Sequence, residues 1–264
     1  MNIWIVVIII ACFYAVLYEY PRKVKRVKHF VTFGNERFKK SRTRIRSEAQ
    51  NTGLFDIVKA FSQRDLKLNP QYWDVLGKFT SRHARGYGYW VWKPFLLYNY
   101  VKNEAQNGDI IVYADAGCRI DAKYKRRLSR YIHAASSNTS GLLTFHLGNW
   151  FGTKLSMRDW TRRDVAEWLG YSIDGPFMER PQIAATAFVI CKNETSMKIL
   201  KHWYELAVSR PDLFADGPSD HEGYKEHRHD QSIFSILCYA NGVVPIEDEM
   251  NEKYAPIKGS RLRE

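Results

Sequence analysis

The chain has 264 residues, of which 45% are hydrophobic and 14% aromatic. This length and composition can bury the core of a globular domain, which excludes a largely disordered protein. The formal net charge is +12, but eleven Lys or Arg residues and one acid, Glu36, fall between Arg22 and Arg46. Because the rest of the chain is close to neutral, the composition argues against a general nucleic-acid-binding surface.

The first eighteen residues, MNIWIVVIIIACFYAVLY, carry no charge and are mostly aliphatic or aromatic. As a helix they would extend about 27 Å, enough to span a bilayer. We predict a transmembrane anchor at residues 1–20, since the leader lacks the basic start and the cleavage site of a signal peptide. A basic juxtamembrane segment, 21–28, follows and favours a cytoplasmic location for the soluble domain, 29–264. In the lumenal alternative, sequons at Asn138 and Asn193 would be open to glycosylation.

Strand patterns and helix patterns alternate along the soluble domain. KHFVTFGN predicts a first strand ending at Gly34-Asn35, LFDIVKAF a second strand, and IIVY a central strand. Pro94 would lie in the first turn of a helix that continues to about Asn107. The next predicted elements are a helix at DAKYKRRLSRYIHAAS and a strand at GLLTFH.

The second half of the domain continues this alternation. Thr161 is predicted to cap RRDVAEWLG, and Asn193 to cap ETSMKILKHWYELAVSR. QIAATAFVIC predicts a buried strand and DQSIFSILCYAN a final helix, with a long mobile loop at 214–226 before it. We therefore predict an α/β fold with a mostly parallel sheet flanked by helices.

A carboxylate follows the central strand in GDIIVYADAGCRID, residues 108–121. Such a strand delivers its last residue to the carboxyl edge of the sheet, where open α/β folds bind ligands. Asp115 would lie at this edge, and the small residues Ala116 and Gly117 would let a ligand or metal approach the backbone. A turn or helix cap is an equally good interpretation of Asp115 from the local sequence.

RGYGYWVWKP, residues 85–94, combines four aromatic residues, two glycines and two cations. Aromatic faces can stack on a sugar or base, and Arg85 or Lys93 can neutralise phosphate charge. The alternative is an aromatic wedge in the core, which is the commoner role for residues such as Trp90 and Trp92.

EHRHDQS, residues 226–232, places two histidines and a carboxylate before an apolar helix. Asp230 is either a helix N-cap or, with His229 as second choice, a general base or ligand-orienting group. Histidines two residues apart do not share a helix face, so the pattern is weak evidence for zinc.

Together these three elements resemble a family of GT-A-type glycosyltransferase-like proteins of bacteria and large DNA viruses, which carry RGYGYWxWKP, a strand ending in D-A-G-C, and a late HRHDQS. The resemblance runs from about Phe30 to Glu247. It implies a nucleotide-sugar-dependent transferase with a Rossmann-like nucleotide half and an acceptor half. The partners would be the donor, a glycan or other hydroxyl acceptor, and the membrane, but no nucleic acid. A membrane-tethered, non-catalytic carbohydrate- or nucleotide-sugar-binding protein of the same fold is the alternative.

GT-A enzymes generally hold a divalent ion on the sugar diphosphate with a D-x-D motif at the end of a central strand. Gly117 stands here in place of the second Asp, so Asp115 would be the sole carboxylate for Mn²⁺ or Mg²⁺ at that turn. Asp121 or a distant histidine is a candidate additional ligand.

The resemblance also implies roles for individual residues. The donor-binding candidates are Gly34, Asn35, Arg85, Tyr89, Trp92, Lys93, Asp115 and Gly117. The acceptor-binding candidates are Gln182, His227 and Gln231. In an inverting transfer Asp230 would be the catalytic base, with His229 as second choice, whereas a retaining transfer needs no such base.

Overall fold

The computed structural model describes residues 26–148 and 155–259. Its strands are β1 (Lys28–Phe33), β2 (Ile57–Phe61), β3 (Ile110–Ala114), β4 (Arg119–Ile120), β5 (Leu142–Leu143), β6 (Phe145–His146), β7 (Ala187–Cys191), β8 (Ile246–Glu247) and β9 (Ile257–Lys258). Its longer helices are α1 (Lys39–Asn51), α2 (Trp92–Glu104), α3 (Lys125–Ser137), α4 (Glu194–Ser209) and α5 (Asp230–Ala240). Shorter helical turns are Glu36–Phe38, Gln63–Lys67, Pro70–Tyr72, Trp73–Gly77, Lys78–Arg82, Gly86–Tyr89, Ala122–Tyr124, Arg163–Trp168 and Pro211–Phe214.

The central sheet has five strands in the order β2-β1-β3-β7-β5. β1 is parallel to both β2 and β3, whereas β7 is antiparallel to both β3 and β5. Four strands therefore run in one direction and β7 runs in the other, which confirms the predicted mostly parallel sheet. The GLLTFH strand is divided, because β5 joins this sheet while β6 pairs with β8.

Apolar layers cover both faces of the sheet. Along β3, Ile111 and Tyr113 belong to the layer that includes Trp203 of α4, while Ile110 and Val112 belong to the opposite layer. Successive side chains of a strand point to opposite faces, so two covered faces require an unbroken apolar run. This double burial explains why IIVY reads as a central strand.

The predicted helix boundaries have mixed outcomes. Asn193 caps α4 as expected, because its Oδ1 accepts from the Ser196 backbone N–H at 2.8 Å. Thr161 does not cap the following helix, whose N-cap position is Arg162 without a side-chain cap. Thr161 is instead fully buried, with its hydroxyl 3.4 Å from Gln182 Nε2.

The predicted anchor at residues 1–20 lies outside the described residues, as does the juxtamembrane segment up to residue 25. Within 26–148 and 155–259, no helix combines the length and the apolar character that crossing a bilayer requires.

A buried histidine on β1 predicts a pH-dependent stability. His29 Nδ1 lies 2.8 Å from the Tyr100 hydroxyl, and Nε2 lies 3.8 Å from an Asp109 oxygen. Burial lowers the pKa of His29, although Asp109, Asp56 and Glu104 oppose the shift. The unfolded chain therefore binds more protons below about pH 6.5, and the free energy of unfolding should decrease as the pH falls.

We expect the Tm of the wild type to fall between about pH 7.5 and about pH 5.5 by more than the Tm of His29→Gln does. Each kcal/mol corresponds to about 2–4 °C in a protein of this size. Thermal unfolding at the two pH values measures the difference, and His202→Gln, at an exposed position on α4, is the control. Equal losses in the wild type and His29→Gln would contradict the assignment.

Candidate active site

The site is organised around a buried lysine at the start of α2. Lys93 is 2% exposed, and its Nζ lies 2.7 Å from Asp230 Oδ2 and 3.2 Å from Asp115 Oδ1. The ammonium also donates to the Ala185 carbonyl at 3.0 Å. The ammonium therefore has one carbonyl acceptor and two ion-pair partners around it. Lys93 thus joins the end of β3 to the start of α5.

The two carboxylates keep this lysine charged. Burial opposes the charge on Lys93, but Asp115 and Asp230 outweigh that effect and raise the pKa of the ammonium. A buried lysine without such partners would have a lowered pKa instead.

Asp115 directly follows β3, at the carboxyl edge of the sheet, as the sequence predicts. Its Oδ1 accepts from the Tyr113 hydroxyl and lies against Lys93. Neither contact uses Oδ2, and the side chain is 29% exposed. Asp115 therefore offers one carboxylate oxygen to a ligand while its other oxygen is held in place.

Asp230 is the first residue of α5 and is 5% exposed. The N-cap position belongs to His229, whose side chain makes no capping hydrogen bond, and Asp230 is the next residue, so the N-cap interpretation of Asp230 is wrong. Burial raises the pKa of Asp230 to about 6, against the opposing effect of Lys93. A carboxyl group with this pKa can both accept and release a proton near neutral pH.

The ends of β1 and β3 approach each other closely at this edge. A Cβ added at Gly34 would lie 3.2 Å from the Ala116 Cβ and 3.1 Å from the Phe38 Cβ, closer than most Cβ contacts, so a side chain here would require its neighbours to shift. Asn35 follows, and its buried Oδ1 has no hydrogen-bond partner in the described part of the chain. Gly117 lies in the turn closed by the bond from the Cys118 N–H to the Asp115 carbonyl.

Backbone strain is concentrated where two of the sequence elements meet. Within the described ranges, the non-glycine residues with positive φ are Tyr87, Tyr89, Trp90 and His229. The rings of Tyr89 and Trp90 both stack on the His229 imidazole, with centroids 5.1 Å apart in each case. Strained residues of this kind cluster at functional sites. RGYGYW and HRHD therefore form one unit.

The tryptophans differ in position. Trp92 is a core residue, with Nε1 donating to the Gly86 carbonyl at 2.9 Å and its ring 4.0 Å from the Phe33 ring. Trp90 is only partly buried. The core interpretation therefore holds for Trp92.

Arg85 contacts the segment between Phe214 and Asp230, which has no helix or strand in the structure. The guanidinium lies 3.0 Å from Asp216 Oδ1 and also pairs with Glu226. This arrangement matches the long loop predicted at 214–226, whose mobility stays a prediction.

The three acceptor-binding candidates, Gln182, His227 and Gln231, make hydrogen bonds within the protein near the start of α5. Gln231 Nε2 donates to Gln182 Oε1 at 2.6 Å, and Gln182 Nε2 donates to the Trp160 carbonyl at 3.0 Å. His227 Nε2 donates to the Leu213 carbonyl at 2.9 Å, and burial lowers the pKa of this imidazole well below its usual value. The side-chain amides of Gln182 and Gln231 are therefore hydrogen-bonded to each other, whereas His227 is bonded to the backbone at Leu213.

Asp115 can serve as a protein ligand of a divalent cation. Mg²⁺ commonly binds through one or two carboxylates together with waters and substrate phosphate oxygens, and Asp115 Oδ2, which makes neither of the contacts given above, fits that mode. Asp121 instead accepts from the Lys123 N–H and caps the turn Ala122–Tyr124.

Sequence reasoning missed several groups at the site. Tyr113 could have been found, because residues two apart on a strand share a face and Asp115 follows at that spacing. Asp216 and Glu226 had no local signal beyond their place in the loop, and the Ala185 carbonyl is a backbone group.

No family model and no curated protein matches the chain. Among solved structures, a glycosyltransferase involved in glycosylation of the major capsid of PBCV-1 aligns at 8% identity and a TM-score of 0.44, over 86% of this chain and 85% of that one. Mouse xyloside xylosyltransferase 1 aligns at 11% identity and 0.45, over 85% and 86%. GlyE of Streptococcus pneumoniae TIGR4 aligns at 12% and 0.39, over 87% of this chain and 47% of that one. These likenesses are too distant to assign a function.

Proposed function

We propose that the protein is a glycosyltransferase that moves a sugar from a nucleotide-sugar donor to a hydroxyl group of a glycan or other acceptor. The observation that carries the proposal is the Lys93, Asp115 and Asp230 cluster at the carboxyl edge of the sheet, with distances of 3.2 and 2.7 Å from the ammonium to the two carboxylates. Ligands bind at this edge in open α/β folds. The sequence resemblance to GT-A-type proteins supports the same reaction class.

The donor diphosphate would lie over the small residues at the ends of β1 and β3. Gly34 leaves room for the diphosphate to approach the backbone closely. Asn35 Oδ1, which has no partner among the described residues, can accept a hydrogen bond from a hydroxyl or amide group of the nucleotide sugar. Asp115 Oδ2 would hold Mn²⁺ or Mg²⁺, and such an ion neutralises the charge that develops on a leaving diphosphate. Gly117 keeps the adjacent turn free of a side chain.

Asp230 would act on the acceptor. A carboxylate with a pKa near 6 can accept the proton of an attacking hydroxyl, and the ion pair with Lys93 fixes the orientation of the carboxylate. Lys93 is a positioning residue, since it is buried and holds both carboxylates. Gln231 and Gln182 would orient the acceptor side, with His229 as the second candidate base.

We also propose that the domain is tethered to the membrane by residues 1–20 and faces the cytoplasm. The charge distribution in the sequence supports this arrangement.

The direct test is to incubate the full-length protein with a panel of nucleotide sugars, with and without Mn²⁺, and to measure nucleoside diphosphate release. We expect release from at least one donor, faster with the metal. Binding without release from any donor, in the presence of candidate acceptors, would favour the non-catalytic carbohydrate-binding alternative. If the protein neither binds nor hydrolyses any donor, both the transferase proposal and the carbohydrate-binding alternative are contradicted.

Asp115→Asn should weaken binding of a nucleoside diphosphate in the presence of Mn²⁺ by about tenfold or more, because a neutral amide is a much poorer ligand for a hard cation. Isothermal titration calorimetry measures the affinity. Asp121→Asn is the matched control, since asparagine caps as well as aspartate, and it should bind normally. Unchanged affinity in Asp115→Asn would remove the metal-ligand role.

A further inference from the structure

A second group of possible ligands lies between the long loop and the start of α5. One carboxylate oxygen of Asp216, one of Glu226 and a ring nitrogen of His229 all lie within 4.8 Å of one another. We call these three residues the loop cluster. It does not include Asp115, the proposed ligand at the strand edge.

The histidine of this cluster has an unused nitrogen. His229 Nδ1 lies 2.8 Å from the Phe214 carbonyl, and a carbonyl can only accept, so Nδ1 carries the proton and Nε2 carries a lone pair. The side chain is 4% exposed, and Nε2 has no hydrogen-bond partner in the described residues. It nevertheless lies 3.6 Å from Asp216 Oδ1.

A ring-nitrogen lone pair 3.6 Å from a carboxylate oxygen is repelled by it unless a proton or a metal cation lies between the two. Metal-binding histidines usually donate their other ring N–H to a carbonyl or carboxylate, which fixes the ring and the tautomer. The bond from His229 to Phe214 is this arrangement, and the stacked rings of Tyr89 and Trp90 fix the ring plane further.

Two arginines supply positive charge at these carboxylates: Arg85 pairs with both, and Arg228 Nη1 lies 3.7 Å from Glu226 Oε2. The Arg85 guanidinium pairs with Asp216 and Glu226, but its side chain is 46% exposed. Exposed ion pairs contribute little to stability, so a metal ion could displace the guanidinium at small cost. Arg85 also makes no contact that satisfies His229 Nε2.

We infer that Asp216, Glu226 and His229 Nε2 bind one divalent transition-metal ion and that Arg85 withdraws when the ion enters. An imidazole with two carboxylates suits Zn²⁺ or Mn²⁺ better than Mg²⁺ or Ca²⁺. The 3.6 Å separation of Asp216 Oδ1 and His229 Nε2 is near the ligand spacing of about 3.4 Å that tetrahedral Zn²⁺ with bonds of about 2.1 Å requires. The ion would tie the loop to the start of α5.

Isothermal titration calorimetry of the full-length protein with Zn²⁺ alone tests the site. We expect Asp216→Asn and His229→Gln each to weaken Zn²⁺ binding by about tenfold or more. His202→Gln, which removes an exposed histidine of α4, should bind Zn²⁺ as the wild type does. The readout is metal affinity, so its result is independent of whether the protein transfers sugar.

Arg85→Gln separates a metal site from a simple ion-pair cluster. Removing the competing cation should tighten Zn²⁺ binding by about tenfold, whereas an unchanged or weaker affinity would overturn the proposal. Wild-type Zn²⁺ affinity in Asp216→Asn would also overturn it. That variant lies in the exposed loop and remains informative if His229→Gln fails to fold, which thermal unfolding of each variant establishes.

Discussion

Lys93→Met should lower the free energy of unfolding by about 3–5 kcal/mol, the usual cost of breaking a buried ion pair from one side. Methionine fills nearly the same volume, but Asp230 would keep a buried carboxylate without the ammonium that lies 2.7 Å away. Asp115 would lose the same partner. Thermal unfolding should show a decrease of roughly 10 °C or more in Tm.

Lys102→Met is the matched control, because Lys102 lies on the same helix and is exposed. It should change the free energy of unfolding by about 0.5 kcal/mol or less. Adding Asp230→Asn to Lys93→Met should recover part of the lost stability, since the double variant removes one of the two uncompensated charges. A Lys93→Met protein as stable as Lys102→Met would show that the buried ion pairs contribute little.

The second large effect concerns turnover. Asp230→Asn should reduce the rate of sugar transfer by about 10²-fold or more, the scale expected for a lost general base. The amide preserves the shape of the side chain, and Lys93 keeps its contact with Asp115, so the Tm should change far less than in Lys93→Met. Donor binding should be retained, because the lost group acts on the acceptor. Steady-state transfer and donor titration measure the two quantities separately.

Asp164→Asn is the control for Asp230→Asn, because Asp164 is also a first-turn acid but is exposed. It should transfer sugar at the wild-type rate. Asp230→Ser should behave as Asp230→Asn does, since Asp230 does not cap α5. Near-normal transfer by a folded Asp230→Asn protein would contradict the assignment of Asp230 as the base.

The sequence predicted the features that depend on local pattern. Apolar residues on both faces revealed β3, and the position of Asp115 at its end followed from strand direction. Asn193 was predictable as a cap because its partner, Ser196, is three residues away. The predicted cap at Thr161 was wrong, because a hydroxyl can also contact a side chain that is distant in sequence, and Gln182 lies against it in the core.

The contacts that build the site could not be predicted in this way. No local sequence pattern predicts that Lys93 lies between Asp115 and Asp230, because the three residues come from α2, the end of β3 and α5. Arg85 was identified as a cation, but its partners Asp216 and Glu226 lie in a segment without regular structure. Local patterns identify candidate site residues, whereas the tertiary fold determines which of their charged side chains form ion pairs.

The origin of the Lys93 contacts also has a consequence for synthesis of the chain. A ribosome makes the lysine long before it makes Asp230, which begins the last long helix of the described structure. A nascent chain that has already folded β1 to β3 can offer the ammonium only Asp115 at that stage. The site therefore acquires its second carboxylate only when α5 has emerged and docked. A product truncated before α5 would carry the strand edge without the acid that we assign to the acceptor.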